Sequence, residues 1–434
     1  MSGHRVVIVG VGFAGFHAAR ALARTAGRAV DVTVVNPTDY FLYLPLLPEV
    51  AGGVLDPRRV TVPLSTTLSG VRLVLGQVDE VDLTGGRVRY TGPEGERGQL
   101  GYDRLVMAAG SVNKLLPIPG VADHAHGFRG IPEALYLRDH LVRQVELADA
   151  AQDPQERGAR LTYVVVGAGY TGTEVAAQGQ LLVRQVARRH PRLADLTPRW
   201  LLLDTAHQVL PGMDARMSRA AERVLRRRGV EVLLGTSIAE ATATGVRLSD
   251  GRSLSTRTVI WCVGVRPDPL AAGTGLPMTK GRLQVDEYLA VPGHPEILAC
   301  GDAAAVPDPA RPGEVTPMTA QHAVRQGSLA GHNLAAAFGI GERRPYRHRD
   351  LGFVVDLGGW QAVANPLHVP MSGPLARGVT RAYHLSALPA GRVRTAAEWL
   401  FAAVGSRPVV QLGLVPGPAV PLDTDAPELI HPPR

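Results

Sequence analysis

Residues 5–22, RVVIVGVGFAGFHAARAL, decide the fold. Val6 to Val9 predict a short buried strand. Gly10, Val11, Gly12, Phe13, Ala14 and Gly15 follow as G-x-G-x-x-G, and the apolar spacing then turns helical through Ala18, Ala19 and Leu22. In a dinucleotide site the first glycine permits a tight turn, the second lets backbone approach a pyrophosphate, and the third lets helix pack on strand. The N-terminus of the helix offers N–H groups and a positive dipole end to phosphates. Glycine-rich turns are common, so the weight rests on the setting: strand before, helix after.

The pattern recurs. In LTYVVVGAGYTGTE, residues 161–174, an apolar strand again ends in G-x-G-x-x-G, with Gly167, Gly169, Tyr170 and Gly172 in the turn and a helix beyond. Leu201 to Leu203 predict the partner strand, which ends at Asp204; Pro191 and Pro198 mark an inserted turn within the long connection. Asp204 is the candidate for the ribose 2′-hydroxyl of a nicotinamide nucleotide, the alternative being an ordinary surface carboxylate. Thr205 to Gln208 include no Arg, which favours NAD over NADP because a 2′-phosphate would meet a carboxylate and no cation. The matching strand of the first motif, VDVTVV at 30–35, ends at Asn36. Asn36 reads either as a weakened ribose contact or as a turn residue ahead of Pro37. Two fingerprints predict an α/β chain with two Rossmann-like dinucleotide-binding domains. A flavin and a nicotinamide nucleotide are the natural pair, because hydride passes directly between them.

Composition bounds the alternatives. The chain has 434 residues, enough for two or three cored domains, with 45% hydrophobic and 20% charged residues. The formal charge of +7 comes almost wholly from Arg, scattered except for Arg226, Arg227 and Arg228. That run reads as a solvated helix end; no aromatics interleave it, so no nucleic-acid partner is expected. Cys262 and Cys300 are the two cysteines, far apart in apolar stretches, so neither a disulfide framework nor a metal site is expected. Ala21-Leu22-Ala23 after an apolar stretch mimics a secretory signal, but cleavage there would remove the glycine fingerprint, so we expect none. No apolar run reaches the ~18 residues of a spanning helix.

Between and beyond the motifs, several stretches stand out. YFLYLPLLPEVAGG, residues 40–53, is apolar but broken by Pro45 and Pro48, and reads as a loop wall against a flat ligand or as core. Alternation near 72–75 and 87–90 predicts a hairpin. Residues 105–107 predict a strand running into Ala108, Ala109, Gly110 and Ser111. Helical spacing covers 132–151, and the polar stretch 152–159 reads as a linker. Further buried strands close on Gly264 and on Gly301-Asp302, the strand end where open α/β sheets place ligands. Thr319, Ala320, Gln321, His322 and Ala323 open a helix to about Phe338. LGFVVDL and WQAVANP suggest a hairpin over Gly358 and Gly359, followed by two amphipathic helices at 375–388 and 392–404. Those helices suit a membrane interface or, alternatively, a dimer face or domain cover. The Pro-rich end from Val415 reads as disordered.

Taken together these segments resemble the two-dinucleotide-binding-domain flavoproteins, and within them the type II NADH dehydrogenases, or NADH:quinone oxidoreductases. The resemblance runs from about Val6 to Phe338 and is looser from Tyr346 onward. It implies that Gly10, Gly12, Phe13, Ala14, Gly15 and Asn36 hold the ADP part of FAD, with Ala109, Gly110, Gly301 and Asp302 as further FAD contacts. Pro45 then belongs to a proline-leucine-leucine run beside the flavin. NADH is expected at Gly167, Gly169, Tyr170, Gly172, Asp204 and Gly264. Glu174 matches a glutamate held near nicotinamide and flavin, where it orients the nicotinamide or moves protons. TAQHAVRQG resembles the alanine-glutamine motif of the quinone pocket, which makes Ala320, Gln321 and His322 the quinone residues and Gln321 the leading one. Asn36, Tyr170, His322 and Arg325 depart from the residues usual at those places.

The expected organisation is an NAD domain inserted in the FAD domain, plus a small C-terminal α+β region. The boundaries are 1–120 for the first FAD part, 121–160 for a connecting helix and linker, 161–280 for the NAD domain and 281–345 for the second FAD part. Residues 346–414 form a membrane-surface or dimerisation region, and 415–434 a disordered tail. The expected activity passes hydride from NADH to FAD and two electrons on to a quinone without proton pumping, at the cytoplasmic membrane surface. A disulfide reductase needs a dithiol the sequence lacks. A reductase of a soluble ferredoxin- or rubredoxin-type protein, or a low-turnover flavin sensor, is the alternative.

Overall fold

A computed structural model describes residues 4–405 and 409–422. The chain divides into two compact units, one built from the segment up to Tyr43, Thr61–Val112 and Val265–Arg349, the other from Leu44–Val60, Asn113–Gly264 and the chain from Asp350 onward.

In the first unit, Val6, Val7, Ile8 and Val9 are each at most 3% exposed, which explains why a four-residue apolar run becomes the centre of a sheet. Burying side chains of this size contributes about 1.5–3 kcal/mol apiece. The strand His4–Val9 pairs in parallel with Val30–Asn36 on one side and Arg104–Met107 on the other. Val71–Leu75 extends the sheet beyond Val30–Asn36, and His294–Ala299 extends it beyond Arg104–Met107, again in parallel. The helix Phe13–Ala26 packs on the helix Ala320–Ala337 through small residues. A Cβ on Gly327 would sit 2.0 Å from the Ala14 carbonyl oxygen, and one on Gly331 2.5 Å from that of Ala18.

The second unit carries a five-stranded parallel sheet in the order Ala125–His126, Thr258–Trp261, Thr162–Val166, Arg199–Asp204, Val230–Leu234. The helix Tyr170–Ala187 follows the central strand. A three-stranded antiparallel sheet, Val354–Asp356, Ala362–Ala364 and Met371–Ser372, precedes the helices Pro374–Ala387 and Arg392–Val404. Both units are therefore parallel α/β folds of the dinucleotide-binding type.

Four expectations are corrected. Residues 72–75 do not pair with 87–90; Val71–Leu75 aligns Val74 with Val35 in the parallel sheet, while Arg87–Thr91 pairs with Gln77–Asp82 and Arg97–Gly101. The supposed linker at 152–159 contains the helix Pro154–Arg160, started by the Asp153 carboxylate on the Gln155 and Glu156 amides with Pro154 in the first turn. Arg228 is no solvated helix end, since its guanidinium donates to the Leu357 and Gly358 carbonyls. Nor is the C-terminal end disordered from Val415: Val415, Ala419, Val420 and Leu422 are buried, and Leu422 joins the core beneath the five-stranded sheet. Residues 423–434 lie outside the described residues.

Candidate active site

The two glycine turns have the same construction. Gly10 has φ +84° and Gly167 φ +104°, conformations that favour glycine. A Cβ on Gly15 would stand 1.8 Å from the Gly10 carbonyl oxygen, and one on Gly172 1.8 Å from that of Gly167. By contrast, a Cβ on Gly12 or Gly169 would meet nothing within 4 Å, so the middle glycine of each turn faces open space. Both middle glycines precede a helix whose first turn carries no acidic residue. Each turn is thus a cradle of backbone N–H groups with room for a pyrophosphate.

The strand-end residues hold these turns. Asn36 Oδ1 accepts the Val11 amide at 2.8 Å, and Asp204 Oδ2 accepts the Ala168 amide at 2.6 Å. The other Asp204 oxygen accepts the Ala206 amide at 2.8 Å. Asn36 directs its amide nitrogen to the Thr38 carbonyl at 2.9 Å and to the Thr38 hydroxyl at 3.0 Å. It is thereby more than a turn residue ahead of Pro37.

The first unit brings Gly10, Gly12, Phe13, Ala14, Gly15, Asn36, Ala109, Gly110, Gly301, Asp302, Ala320, Gln321 and His322 into one compact body. The Ser111 hydroxyl donates to Asp302 Oδ2 at 2.6 Å, and the Gly301 amide donates to Gln326 Oε1 at 2.8 Å. Gln326 in turn donates to the Thr316 hydroxyl, so the turn bearing Asp302 is fixed from the helix that carries Gln321. The Arg325 guanidinium donates to the Gln321 side-chain oxygen at 3.3 Å. His322 is only 7% exposed, hydrogen-bonds the Tyr346 hydroxyl at 2.6 Å and stacks on His348 with ring centroids 3.9 Å apart. Burial lowers it to about 4, so its ring is neutral at neutral pH.

The second unit holds Gly167, Gly169, Tyr170, Gly172, Glu174, Asp204 and Gly264, and also Pro45, which does not group with Gly10. Glu174 is buried, accepts the Asp356 amide at 2.7 Å, and has its carboxyl pushed well above the usual range, chiefly by burial. Around it lie residues that the sequence reading missed. Glu49, 2% exposed, accepts the Trp399 indole N–H at 2.5 Å, and burial, with the Asp356 charge next, pushes its carboxyl up to about 8. Asp356 Oδ1 accepts from Arg377 at 3.1 Å and from the Gly358 amide at 2.6 Å. The available signal was a lone carboxylate in each of two apolar stretches, LPLLPEVAGG and FVVDLGG. Among the described residues no group of His, Cys, Asp and Glu is arranged to hold a metal ion.

Residues 4–327 match the pyridine nucleotide-disulphide oxidoreductase family. A type II NADH:quinone oxidoreductase of Mycobacterium tuberculosis is 33% identical over 407 residues, covering 89% of this chain and 84% of its own. A demethylphylloquinone reductase of Synechocystis is 28% identical, covering 89% and 92% respectively. In structure, the NDH2 of Plasmodium falciparum, solved in complex with NADH, superposes with a TM-score of 0.86 at 17% identity, over 94% of this chain and 100% of that one. The chain belongs to the pyridine nucleotide-disulphide oxidoreductases and, within them, to the type II NADH:quinone oxidoreductases.

Proposed function

We propose that this chain binds FAD at the glycine turn of the first unit and NADH at that of the second, and that it oxidises NADH at the expense of a quinone. The observation that carries the reading is the duplicated cradle, Gly10–Gly15 held by Asn36 and Gly167–Gly172 held by Asp204. FAD, when bound, supplies the two-electron relay between a hydride donor and an acceptor. The chain's own residues bind and orient. Asp204 is assigned to the ribose of NADH, and the Ser111 hydroxyl holds Asp302. Gln321 is assigned to a quinone carbonyl, with Arg325 orienting its amide.

The chemistry of the cysteines favours a quinone over a disulfide. Cys262 and Cys300 are both free thiols, one in each unit, and burial pushes each up to about 12. Neither is a thiolate at neutral pH, so neither suits redox exchange. Among the described residues no helix is long and apolar enough to cross a membrane. The exposed side chains of Leu375, Val393, Leu400, Phe401 and Val404 support contact of the last two helices with a membrane surface, where a quinone would be collected.

The test is anaerobic reduction of the flavin-loaded protein. NADH is expected to bleach it, and a quinone to restore the colour. Failure of every quinone tried, with recovery on adding a soluble ferredoxin-type acceptor, would overturn the acceptor. A Gln321→Ala protein that bleaches normally and still reduces quinone at the wild-type rate would remove Gln321 from the site.

A further inference from the structure

Four arginines fall within RRPYRHR, residues 343–349, a concentration that the sequence reading passed over. The segment lies in the first unit and is stitched to the helix Ala320–Ala337 of that unit. Asn333 on the helix accepts the Arg344 amide at 2.9 Å and donates to the Arg344 carbonyl at 3.0 Å. Tyr346 is 5% exposed, with its hydroxyl on His322 and its amide on the Glu287 carbonyl at 2.7 Å. The Arg325 guanidinium closes the far end, donating to the Arg349 carbonyl at 2.8 Å. The backbone is thus set at three places, and Arg344 and Arg347 leave it on either side of Tyr346 in sequence.

Segment and helix bound a cavity of about 500 Å³. Arg325, His332, Arg344 and Arg347 line it with Leu329 and Pro345, and no Asp or Glu does. Asp286 and Asp308 of the same unit are taken elsewhere, by Arg343 and by Arg311, each at 3.0 Å. Among the described residues neither the Arg344 nor the Arg347 guanidinium has a hydrogen-bond or ion-pair partner. A concave wall of one sign concentrates its field and draws in ions of the other. Three guanidiniums present more N–H donors than one carboxylate accepts, whereas phosphate or pyrophosphate offers oxygens on several sides. Tyr346, the aromatic in the wall, is buried with its hydroxyl taken, so nothing here stacks on a nucleobase.

We propose that this pocket binds a phosphate oxyanion, that of a lipid headgroup or of a free phosphate compound, and that its occupancy is felt at Gln321. Arg325 is the link. Its guanidinium donates to the Gln321 carbonyl at 3.1 Å and to the Gln321 side-chain oxygen at 3.3 Å, so it serves the pocket and Gln321 at once. An anion in the pocket competes with the Gln321 side chain for that guanidinium, because a charged acceptor makes the stronger bond. Gln321 then loses the donor that orients its amide. This second half rests on the reading of Gln321 as a quinone residue, while the binding itself does not. No covalent bond is made or broken; the ligand acts by charge and position.

Calorimetric titration of the flavin-loaded protein with pyrophosphate, in a low-salt chloride buffer, tests the pocket. Arg344→Gln with Arg347→Gln is the discriminating variant, since both side chains are exposed and neither holds the fold. Arg216→Gln with Arg227→Gln removes the same charge from exposed positions of the helix Ala215–Arg227 and is the control. Pyrophosphate should bind the wild type and the control alike, and the pocket variant about tenfold more weakly. Dihexanoyl phosphatidylglycerol, a soluble lipid, separates the sources. Lipid binding that the pocket variant loses assigns a headgroup, and pyrophosphate binding without it assigns a free phosphate compound. Failure of both probes to bind, or equal affinity in all three proteins, overturns the pocket. With the pocket filled, the quinone KM of the wild type should rise severalfold, the rate of bleaching by NADH should hold, and the pocket variant should not respond. Binding with an unchanged quinone KM overturns the link through Arg325. If no quinone is reduced at all, the calorimetry still decides the pocket and the acceptor reading alone falls.

Discussion

The Asn36 side-chain oxygen accepts the Val11 amide at 2.8 Å, so a neutral carboxamide secures the first glycine turn as the Asp204 carboxylate secures the second. This bond explains how the turn is held without the acidic residue usual at its strand end. Asn36→Asp, although it restores that acid, removes the two donations to Thr38 and sets a carboxylate against the Thr38 carbonyl. The expected cost is about 1–3 kcal/mol of stability, the penalty for unsatisfied buried polar groups. Denaturant unfolding of the flavin-loaded protein measures it, and an unchanged midpoint would show that the Thr38 bonds contribute nothing.

Asp204 holds the second turn and is the proposed ribose contact, and replacing it separates the two poorly unless both are measured. Asp204→Ala frees the Ala168 and Ala206 amides and removes the proposed ribose contact. KM for NADH should rise ~10- to ~100-fold, where each tenfold corresponds to about 1.4 kcal/mol, and the preference for NADH over NADPH should narrow. A rise in KM with the preference intact would restrict Asp204 to holding the turn.

Titration of the buried groups gives a stability profile with a worked sign. His17, His126, His322 and His384 are lowered to about 4 by burial, and burial also holds His140 well below its ordinary value. Their unfolded forms bind protons that the native forms do not, so below their ordinary 6.5 stability rises with pH. Glu49 and Glu174 work the other way. Burial first, and for Glu49 the neighbouring Asp356 charge next, raises them above their ordinary 4.5, Glu49 to about 8. There the native state keeps protons that the unfolded chain releases, and each proton costs about 1.4 kcal/mol per pH unit until the folded value is passed. Five histidines outweigh two carboxyls below about pH 6.5, and the carboxyls act alone above it. Stability should therefore peak near pH ~6.5, and Glu49→Gln should flatten the alkaline fall. Unfolding midpoints across ~pH 5 to ~8 check this, and a wild-type stability that climbs steadily through that range would contradict the protonation assigned to Glu49.

What the sequence shows and what it hides follow from the range of the interactions. The turns at Gly10 and Gly167 are legible because their constraints are local: a strand, three glycines at fixed spacing, a helix. The helix Pro154–Arg160 was hidden by polar composition, although Asp153 and Pro154 are ordinary start signals, because only Ala159 in it is buried and no apolar stripe marks it. Val71–Leu75 misled for a related reason, since alternation says which residues form a strand but not which strand it joins. The Glu49–Asp356–Arg377 cluster lay beyond reach altogether. Glu49 and Asp356 are distant in sequence, and nothing near either reveals that Trp399 donates to the first and Arg377 to the second. Trp399, an apparent amphipathic-helix aromatic, is 3% exposed and is spent on Glu49 rather than on an interface.

That use of Trp399 sharpens what the helix Arg392–Val404 can offer to a membrane. One face is anchored within its unit by Trp399 on Glu49 and by Glu398 on Arg59 at 2.8 Å. The other presents Val393, Leu400, Phe401 and Val404, at 82%, 63%, 70% and 80% exposure, with 393, 400 and 404 on one helical stripe. Val393→Asp with Phe401→Asp changes only exposed positions, so the stability cost should stay within about 0.5 kcal/mol apiece. The double variant should lose co-sedimentation with anionic vesicles while oxidising NADH with a water-soluble quinone at the wild-type rate. Light scattering at matched concentration separates the other occupant of this face: a wild-type dimer that the variant converts to a monomer, with vesicle binding absent in both, would assign the stripe to a second copy of the chain.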